Sequence, residues 1–285
     1  MIDIHTHLAG VVDFLERDPS LRLAVTGVFG FHDPAQPMST YLASLDEAGI
    51  ERAVVLPIDC TTAHGCRIFS NELVASVVAE HPRLIGFGSV DPNLPDAPAT
   101  LEHGVRTLGL VGLKLDPALQ QFDIDDPRTA FPVYEKCVEL DIPILMHAGL
   151  SWAPVGRSSR AQPLRLEAVV HEFPTLRVAI AHCGFPWVDD ALLLALKYPG
   201  VYLDTAVIYS GRPSASLGHL LRDRFGMGVV RSSLHDKLLF GSNAPRIRPK
   251  HMSEAIASLG LDRTLEREIV RDNAIRFLGL KETHA

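Results

Sequence analysis

The strongest constraint on the fold is a repeated alternation between short apolar runs and longer amphipathic segments. Eight apolar runs of strand length occur in the first 241 residues, and segments with helical periodicity separate them. A helix that follows a strand returns the chain to the starting edge, so successive strands pair in parallel through right-handed crossovers. Eight such units close a (β/α)8 barrel. The competing fold is an open doubly wound sheet, but no Gly-x-Gly-x-x-Gly fingerprint follows a strand.

The 285 residues suit one barrel of about 250 residues, so we expect a single domain over residues 1–285. Residues 9–37, rich in glycine and proline, are predicted to be a loop with a short helix at 11–17 that is large enough to cover a pocket. The predicted strands are residues 1–7, 51–57, 84–90, 111–115, 142–147, 176–182, 201–204 and 237–241.

Charge and cysteine usage indicate which partners to expect. The formal net charge is −7 without a long basic run, which argues against nucleic acid or an anionic membrane surface as a partner. No apolar run approaches the roughly 20 residues of a membrane span, and the first residues show neither a basic region nor an apolar signal core, so we expect neither secretion nor membrane insertion. Four scattered cysteines favour reduced thiols in a cytoplasmic protein: Cys60, Cys66, Cys137 and Cys183. We expect a small-molecule substrate, and the sequence leaves open whether the chain forms a homo-oligomer.

The first strand carries two histidines at alternate positions. His5 and His7 point to one face because side chains alternate along a strand, and the following Leu-Ala-Gly places them at its C-terminal end. A metal ion would fit between two such imidazoles. The alternative is a chance pair, since the chain contains 13 histidines.

Other polar residues follow later strands, at the rim where barrels build their active sites. His147 and His182 end the fifth and sixth predicted strands, and a small residue and a glycine follow each. Lys114 lies in the fourth strand and Asn243 follows the eighth. A single buried histidine is more often a core residue than a ligand, but four at one rim favour a functional site.

With these residues in place, the sequence resembles the amidohydrolase superfamily. The similarity is to the amidohydrolase-related branch, which includes aminocarboxymuconate-semialdehyde and hydroxybenzoate-type decarboxylases alongside lactone hydrolases. The resemblance implies one divalent metal per chain, usually zinc, bound by His5, His7 and His147, with His182 as acid/base or substrate hydrogen-bond donor. The matching segments span the chain: IDIHTH (2–7), GLKLDP (112–117), ILMHAG (144–149), IAHCG (180–184), FGSNAP (240–245) and DNAIRFLGL (272–280).

Asn243 departs from the family pattern. The family carries an aspartate there, whose carboxylate contacts the metal and accepts a proton from water. Asparagine keeps the size and one acceptor oxygen but cannot act as a base. One interpretation is an Asp-to-Asn change that stops turnover while preserving shape. The other is a natural variant, such as a binding protein with a vestigial site.

Lys114 and several loop residues are candidate substrate contacts. Binuclear relatives carry a carbamylated lysine in this strand, whereas the mononuclear branch also has Gly-x-Lys here, so we predict an uncarbamylated ammonium that faces the substrate or forms an ion pair. Trp152, Arg157, Tyr209 and Arg246 follow later strands. Arginines suit a carboxylated substrate, and Trp152 suits a planar one, although each is also compatible with a surface or packing role.

These observations favour a metal-dependent hydrolase in which activated water attacks a small carboxylated or cyclic substrate. A metal-dependent decarboxylase of an aromatic or unsaturated acid is the alternative, because the motifs do not separate the two reactions. A catalytically silent small-molecule-binding barrel is the alternative from another class, and it rests on Asn243.

Overall fold

Eight parallel strands surround the centre of the molecule in the computed structural model, which describes residues 1–206 and 212–281. Hydrogen-bonded neighbours follow one another in the orders β1-β2-β5 and β6-β7-β8-β9-β10, while β3 and β4 form a separate antiparallel hairpin. The strands are β1 (Ile2–Thr6), β2 (Arg52–Val55), β3 (Ile58–Cys60), β4 (Cys66–Ile68), β5 (Leu84–Gly86), β6 (Leu113–Leu115), β7 (Ile144–Met146), β8 (Val178–Ile180), β9 (Val201–Asp204) and β10 (Leu238–Leu239).

Backbone hydrogen bonds join the two groups of strands into a ring. The N–H of Gly88 donates to the Gly112 carbonyl at 2.8 Å, and the N–H of Lys114 donates to the Gly88 carbonyl at 2.7 Å, which links β5 to β6. On the opposite side, the N–H of Ile4 donates to the Phe240 carbonyl at 3.0 Å and links β1 to β10. The predicted (β/α)8 barrel is confirmed, and the C-terminal ends of its strands meet at one rim.

Helices connect the strands and pack against them. In the helix Asn71–Glu80, the Ser70 side chain accepts the N–H of Leu73 at 3.2 Å and caps the helix. Val74 and Val77 of this helix are buried. The helices are α1 (Val12–Leu15), α2 (Pro19–Gly27), α3 (Met38–Glu47), α4 (Thr61–His64), α5 (Asn71–Glu80), α6 (Ala97–Arg106), α7 (Pro117–Gln120), α8 (Phe131–Glu139), α9 (Leu166–Glu172), α10 (Val188–Lys197), α11 (Pro213–Gly218), α12 (Met227–Ser233), α13 (Pro249–Ala257), α14 (Arg263–Arg267) and α15 (Asn273–Leu278). Single turns of 3₁₀ or π helix extend several of them.

Two apolar clusters form the core. The larger one joins strand residues such as Leu113 and Leu115 to buried residues of the helices, including Leu194. The smaller one joins alternate strand residues, such as Leu145, to Phe277 of α15. Because Leu113 and Leu115 both belong to the larger cluster, Lys114 between them points to the opposite side of the sheet, as predicted.

The segment at residues 9–37 differs from its prediction as a loop with one short helix. It contains α1 and also α2, because Asp18 accepts the N–H groups of Ser20 and Leu21 and Pro19 occupies the first turn. The β3–β4 hairpin was also not predicted. Its strands have three residues each, too few for a clear sequence pattern.

The observed strands are mostly shorter than predicted, and the predicted site histidines His147 and His182 lie just beyond β7 and β8. All four cysteines are free thiols. Among the helices within residues 1–206 and 212–281, none has the length and apolar character needed to cross a lipid bilayer.

Candidate functional site

A cavity opens at the C-terminal rim of the barrel, with a volume of about 390 Å³ when its solvent-exposed mouth is included. Arg157 is not among the described residues that line it, and Tyr209 falls outside the described residues. The other eight predicted site residues all line the cavity: His5, His7, Lys114, His147, Trp152, His182, Asn243 and Arg246.

Hydrogen bonds fix the orientation of the two histidines of β1. The Nδ1 atom of His5 lies 2.7 Å from Asp204 Oδ2, and the Nδ1 atom of His7 lies 3.0 Å from the Leu56 carbonyl oxygen. A carbonyl and an ionised carboxylate can only accept, so each ring carries its proton on Nδ1. Both Nε2 atoms are then left as lone-pair donors to a third atom.

This arrangement fits a metal ion. The Nε2 atoms of His5 and His7 are 3.3 Å apart, and with both protons on Nδ1 their lone pairs face each other. A cation bound by both nitrogens would remove that repulsion. The carboxylate of Asp204 behind His5 matches the outer partner that usually orients a metal-bound imidazole.

His182 has the same orientation. Its backbone is left-handed with φ of +56°, and its Nδ1 hydrogen-bonds to the Ala206 carbonyl, which leaves Nε2 free to face the cavity. Asp204 Oδ1 accepts the backbone N–H groups of both His182 and Ala206 at 2.9 Å. His5, His182 and Asp204 each offer one atom that could bind a metal, and these three atoms lie within 4.8 Å of one another.

Asp204 was not among the residues singled out in the sequence. It ends β9 at the same rim as the histidines, and that position was the available signal. Its connection to His5 spans 199 residues and follows from the closure of the barrel.

His147 is oriented differently. Its Nε2 lies 2.9 Å from the Leu150 carbonyl oxygen, and its Nδ1 lies 3.8 Å from Asp116 Oδ2. The rings of His147 and His182 contact each other edge to face, with centroids 5.0 Å apart. His147 therefore extends the histidine cluster toward Asp116, and its predicted role as a metal ligand stays a prediction.

Burial keeps the imidazoles neutral. It lowers the pKa of His5, His7 and His182 well below the usual value, and neighbouring charges, Lys114 among them for His5 and His7, add to the effect. Burial raises the pKa of Asp204, which His182 partly opposes. Neutral imidazole is the form that binds metal ions, so the donor set suits a divalent cation near neutral pH.

Lys114 carries a positive charge at the base of the cavity. It is 1% exposed, and its Nζ has no hydrogen-bond partner among the described residues. Burial lowers its pKa from 10.5 to about 8, although Asp116 and Asp204 favour the charged form. An unpaired buried ammonium is costly, which makes this group a candidate to bind an anion.

Asn243 lies beside the histidines after β10. Its backbone is left-handed with φ of +60°, a conformation that asparagine and aspartate tolerate better than most residues. Its N–H donates to the His5 carbonyl at 2.8 Å. This contact uses only backbone atoms of residue 243, so an aspartate at that position would also allow it.

Arg246 was predicted to bind substrate, but much of its side chain contacts a loop. Its guanidinium donates to the carbonyl oxygens of Phe29 at 2.6 Å and Gly30 at 3.2 Å. It also lies 4.5 Å from the centroid of the Phe29 ring, which contacts His7. Trp152, 51% exposed, lines the cavity on another loop. Arg246 thus holds one wall of the cavity in place.

A (β/α)8 barrel with clustered histidines and a buried lysine at its C-terminal rim is the class that the fold and site define. The amidohydrolase family model matches residues 2–280, so the chain belongs to this family and the resemblance seen in the sequence is confirmed.

Solved structures and a curated relative extend the comparison. An uncharacterised TIM-barrel protein from Bordetella bronchiseptica is 23% identical, with a TM-score of 0.77 over 98% of both chains. A 5-carboxyvanillate decarboxylase from Sphingomonas paucimobilis is 18% identical, with a TM-score of 0.68 over 99% of both. At these identities the similarity shows the fold alone.

One curated relative is a 2-keto-4-carboxy-3-hexenedioate hydratase from Sphingobium sp. (strain NBRC 103272 / SYK-6). It is 32% identical in an alignment of 133 residues that covers 40% of this chain. The match spans 39% of the length of the hydratase.

Proposed function

We propose that this protein is a metal-dependent hydrolase of a small carboxylated substrate. The observation that carries the proposal is the unpaired, buried ammonium of Lys114 next to a cluster of neutral histidines. The names of the curated hydratase and of the structurally similar decarboxylase both describe carboxylic acids, which supports an acidic substrate.

The anion site follows from the cost of burying a charge. A substrate carboxylate beside Lys114 would supply the missing partner, and charge-assisted hydrogen bonds of this kind are about twice as strong as neutral ones. Phe29 and Ile58 line the same cavity and would contact the apolar part of the substrate. Lys114 would thus fix which end of the substrate faces the histidines.

The residues that would hold a divalent ion are His5 and His7, with His147 or His182 as the third imidazole and Asp204 orienting His5. When bound, such an ion supplies Lewis acidity to a carbonyl and favours ionisation of water. The metal would be zinc or another divalent cation, one per chain.

With His147 as the third imidazole, His182 would handle the proton. Its Nδ1–H is engaged by the Ala206 carbonyl, so Nε2 faces the cavity with a lone pair that can accept a proton and later return it to a leaving group. Asn243 has an amide in the place of the family carboxylate and cannot share this task. We therefore expect slow turnover.

Decarboxylation is the second candidate, and Asn243 is the observation that favours it. Loss of carbon dioxide needs a group that protonates carbon, but it does not need a base to activate water. Lys114 and the histidines would then hold the substrate, and the barrel of 5-carboxyvanillate decarboxylase is similar.

A pH-stat assay separates the reactions. Hydrolysis of a carboxylated lactone releases a proton, whereas decarboxylation of an aromatic acid consumes one and releases carbon dioxide. The assay uses the metal-loaded chain with a panel of both compound types. Proton release with one or more lactones supports the hydrolase, and carbon dioxide supports the second candidate. Acid binding without either product, in both the natural chain and Asn243→Asp, would contradict both and indicate a binding protein.

Lys114→Met tests the anion site. It should raise KM or Kd for every acid at least about tenfold, because a charge-assisted contact is lost. Lys197→Met is the matched control, since Lys197 is exposed and pairs with Glu167. Unchanged acid affinity in Lys114→Met would contradict the proposed substrate class.

A further inference from the structure

Lys114 has a neighbour of opposite charge that it does not contact. Asp116 follows two residues later, so both side chains leave the chain on the same side and line the same cavity. In the part of the chain that the structure describes, Lys114 forms no ion pair and its Nζ has no hydrogen-bond partner. A buried ammonium and a buried carboxylate on one cavity would be expected to pair, but Lys114 Nζ has no hydrogen bond to Asp116.

The carboxylate of Asp116 is held so that one oxygen stays open. Oδ1 accepts the N–H of Leu119 at 3.0 Å and caps α7. The backbone N–H of Asp116 donates to Gln120 Oε1 at 2.7 Å, and Gln120 Nε2 donates to the carbonyls of Asp59 and Val90. These bonds fix the turn after β6, so the side chain cannot easily rotate toward Lys114.

The other oxygen, Oδ2, has His147 Nδ1 at 3.8 Å, beyond hydrogen-bond distance. The His147 ring already uses Nε2 to contact the Leu150 carbonyl, and with its proton on Nε2 it has no second proton to give. Asp116 Oδ2 is thus an acceptor without a donor at hydrogen-bond distance among the described residues, and it lines the same cavity as Lys114, a donor without an acceptor.

We propose that Asp116 is a specificity-determining residue that accepts a hydrogen bond from a hydroxyl or amino group of the substrate, next to the carboxylate that Lys114 binds. This rests on the proposed acidic substrate and narrows it. The substrate class is an acid with a hydrogen-bond donor one or two carbons from its carboxylate, such as a 2-hydroxy or 2-amino acid. One such molecule would satisfy both groups at once.

An acid without that donor would bind less well. It would pair with Lys114 but leave Asp116 Oδ2 without a hydrogen-bond donor, and it would place its own carboxylate near that of Asp116. An acid with a methoxy group in place of the hydroxyl would be worse, because an ether oxygen accepts and cannot donate. Lys114 and Asp116 would therefore favour acids that carry the hydroxyl group and also disfavour acids that lack it.

Binding of three matched acids to the full-length protein tests this proposal. The probes are mandelate, its O-methyl ether and phenylacetate, which share a carboxylate and a phenyl ring and differ at one position. Isothermal titration calorimetry should give a Kd for mandelate about tenfold or more below the other two. In Asp116→Asn the cap of α7 is kept, since asparagine also caps helices, and the preference for mandelate should fall to about twofold or less.

Two controls identify the cause of a preference. Asp123→Asn changes a half-exposed carboxylate that pairs with Arg160, and it should leave the preference intact. Chelation of a bound metal by mandelate would also favour the hydroxyl acid, but it would persist in Asp116→Asn. Phenylacetate serves as the internal test of folding, because it should bind Asp116→Asn as tightly as, or more tightly than, the natural chain.

The outcomes separate this inference from the proposed function. Equal affinity for mandelate and phenylacetate, or a preference that survives Asp116→Asn, overturns the role of Asp116. If phenylacetate still binds and loses affinity in Lys114→Met, the acidic substrate class remains supported. If no acid binds, or if Lys114→Met leaves every affinity unchanged, both proposals are wrong.

Discussion

At the residue scale, Lys114 links stability to ligand binding. Its ammonium has left water without gaining a hydrogen bond among the described residues, so the folded protein bears a desolvation cost. Binding sites often retain such costs, because the ligand offsets them. The cost should be measurable in the free protein.

We predict that Lys114→Met stabilises the protein while it weakens acid binding. Replacing a buried unpaired charge by an apolar side chain of similar length should add about 1–4 kcal/mol to the free energy of unfolding. The melting temperature would rise by several degrees, as measured by calorimetry with chelator present. Lys197→Met should show no rise, and a lower melting temperature for Lys114→Met would mean that the charge has a stabilising partner.

The stability gained by Lys114→Met should depend on pH. The folded pKa of Lys114 is about 8 and the reference value is 10.5, so between these values the unfolded chain binds more protons. In the natural chain, the contribution of Lys114 to the free energy of unfolding therefore rises by about 3 kcal/mol as the pH increases over that window. The advantage of Lys114→Met should be greatest below pH 8 and shrink toward pH 10.5. A difference that is constant with pH would contradict the lowered pKa.

Asn243 limits turnover rather than folding in our interpretation. We predict that Asn243→Asp raises the rate on a true substrate at least about a hundredfold, because a positioned base contributes about 10²–10⁴. The melting temperature should change little, since the backbone contact to His5 is kept and aspartate tolerates a left-handed backbone. Equal rates for the two forms would place the base elsewhere, with His182 the first residue to test.

At the element scale, the segment between α2 and α3 forms one wall of the cavity. Arg246 holds it through two carbonyl oxygens and the face of Phe29. Phe29 in turn contacts His7, with ring centroids 4.9 Å apart. The far end of the segment is held by Gln36, whose carbonyl accepts the N–H of Val12 at 2.9 Å and whose N–H donates to the Gly10 carbonyl at 2.7 Å.

We predict that Arg246→Met loosens this wall. Backbone amides of residues 28–36 should exchange hydrogen at least about tenfold faster, because the removal of charge-assisted bonds lowers the free energy of local opening. Hydrogen-exchange mass spectrometry measures this directly. Arg248→Met, two residues away, is the matched control and should exchange like the natural chain. Unchanged hydrogen exchange in Arg246→Met would contradict this role and favour the predicted role of Arg246 in substrate binding.

At the scale of the whole molecule, the candidate metal centre joins distant parts of the barrel. His5 lies in β1 and His7 directly follows it, whereas Asp204 ends β9 and His182 follows β8. A cation bound by these side chains stabilises the closed ring by mass action, since only the folded chain presents them together.

We predict up to one divalent metal per chain and a melting temperature that rises with added zinc. At a free concentration of about 100 times Kd, binding adds about 2.7 kcal/mol to the free energy of unfolding. Elemental analysis and calorimetry should show both effects lost in the double variant His5→Ala and His7→Ala, but retained in His171→Ala, an exposed histidine on α9. Full metal content in the double variant would contradict metal binding by His5 and His7. A carbamate on Lys114 between two metals would indicate a binuclear centre instead.

The sequence by itself determined the barrel and the rim where its polar residues gather. Strand and helix patterns depend on near neighbours, and parallel pairing then brings the C-terminal ends of all strands to one edge. This is why His5, His7, His147, His182 and Asn243 were expected together before their distances were known. The motifs also identified the family.

Only the tertiary structure decided what each side chain contacts. The bond from His5 to Asp204 joins residues 199 apart, and no local pattern indicates it. The same holds for Lys114, because its lack of a hydrogen-bond partner among the described residues depends on the residues around it. It also holds for Arg246, which contacts a loop that the sequence predicted only to cover a pocket. Periodicity reports the direction of a side chain, whereas its charge state and hydrogen bonds depend on atoms that the fold brings from elsewhere in the chain.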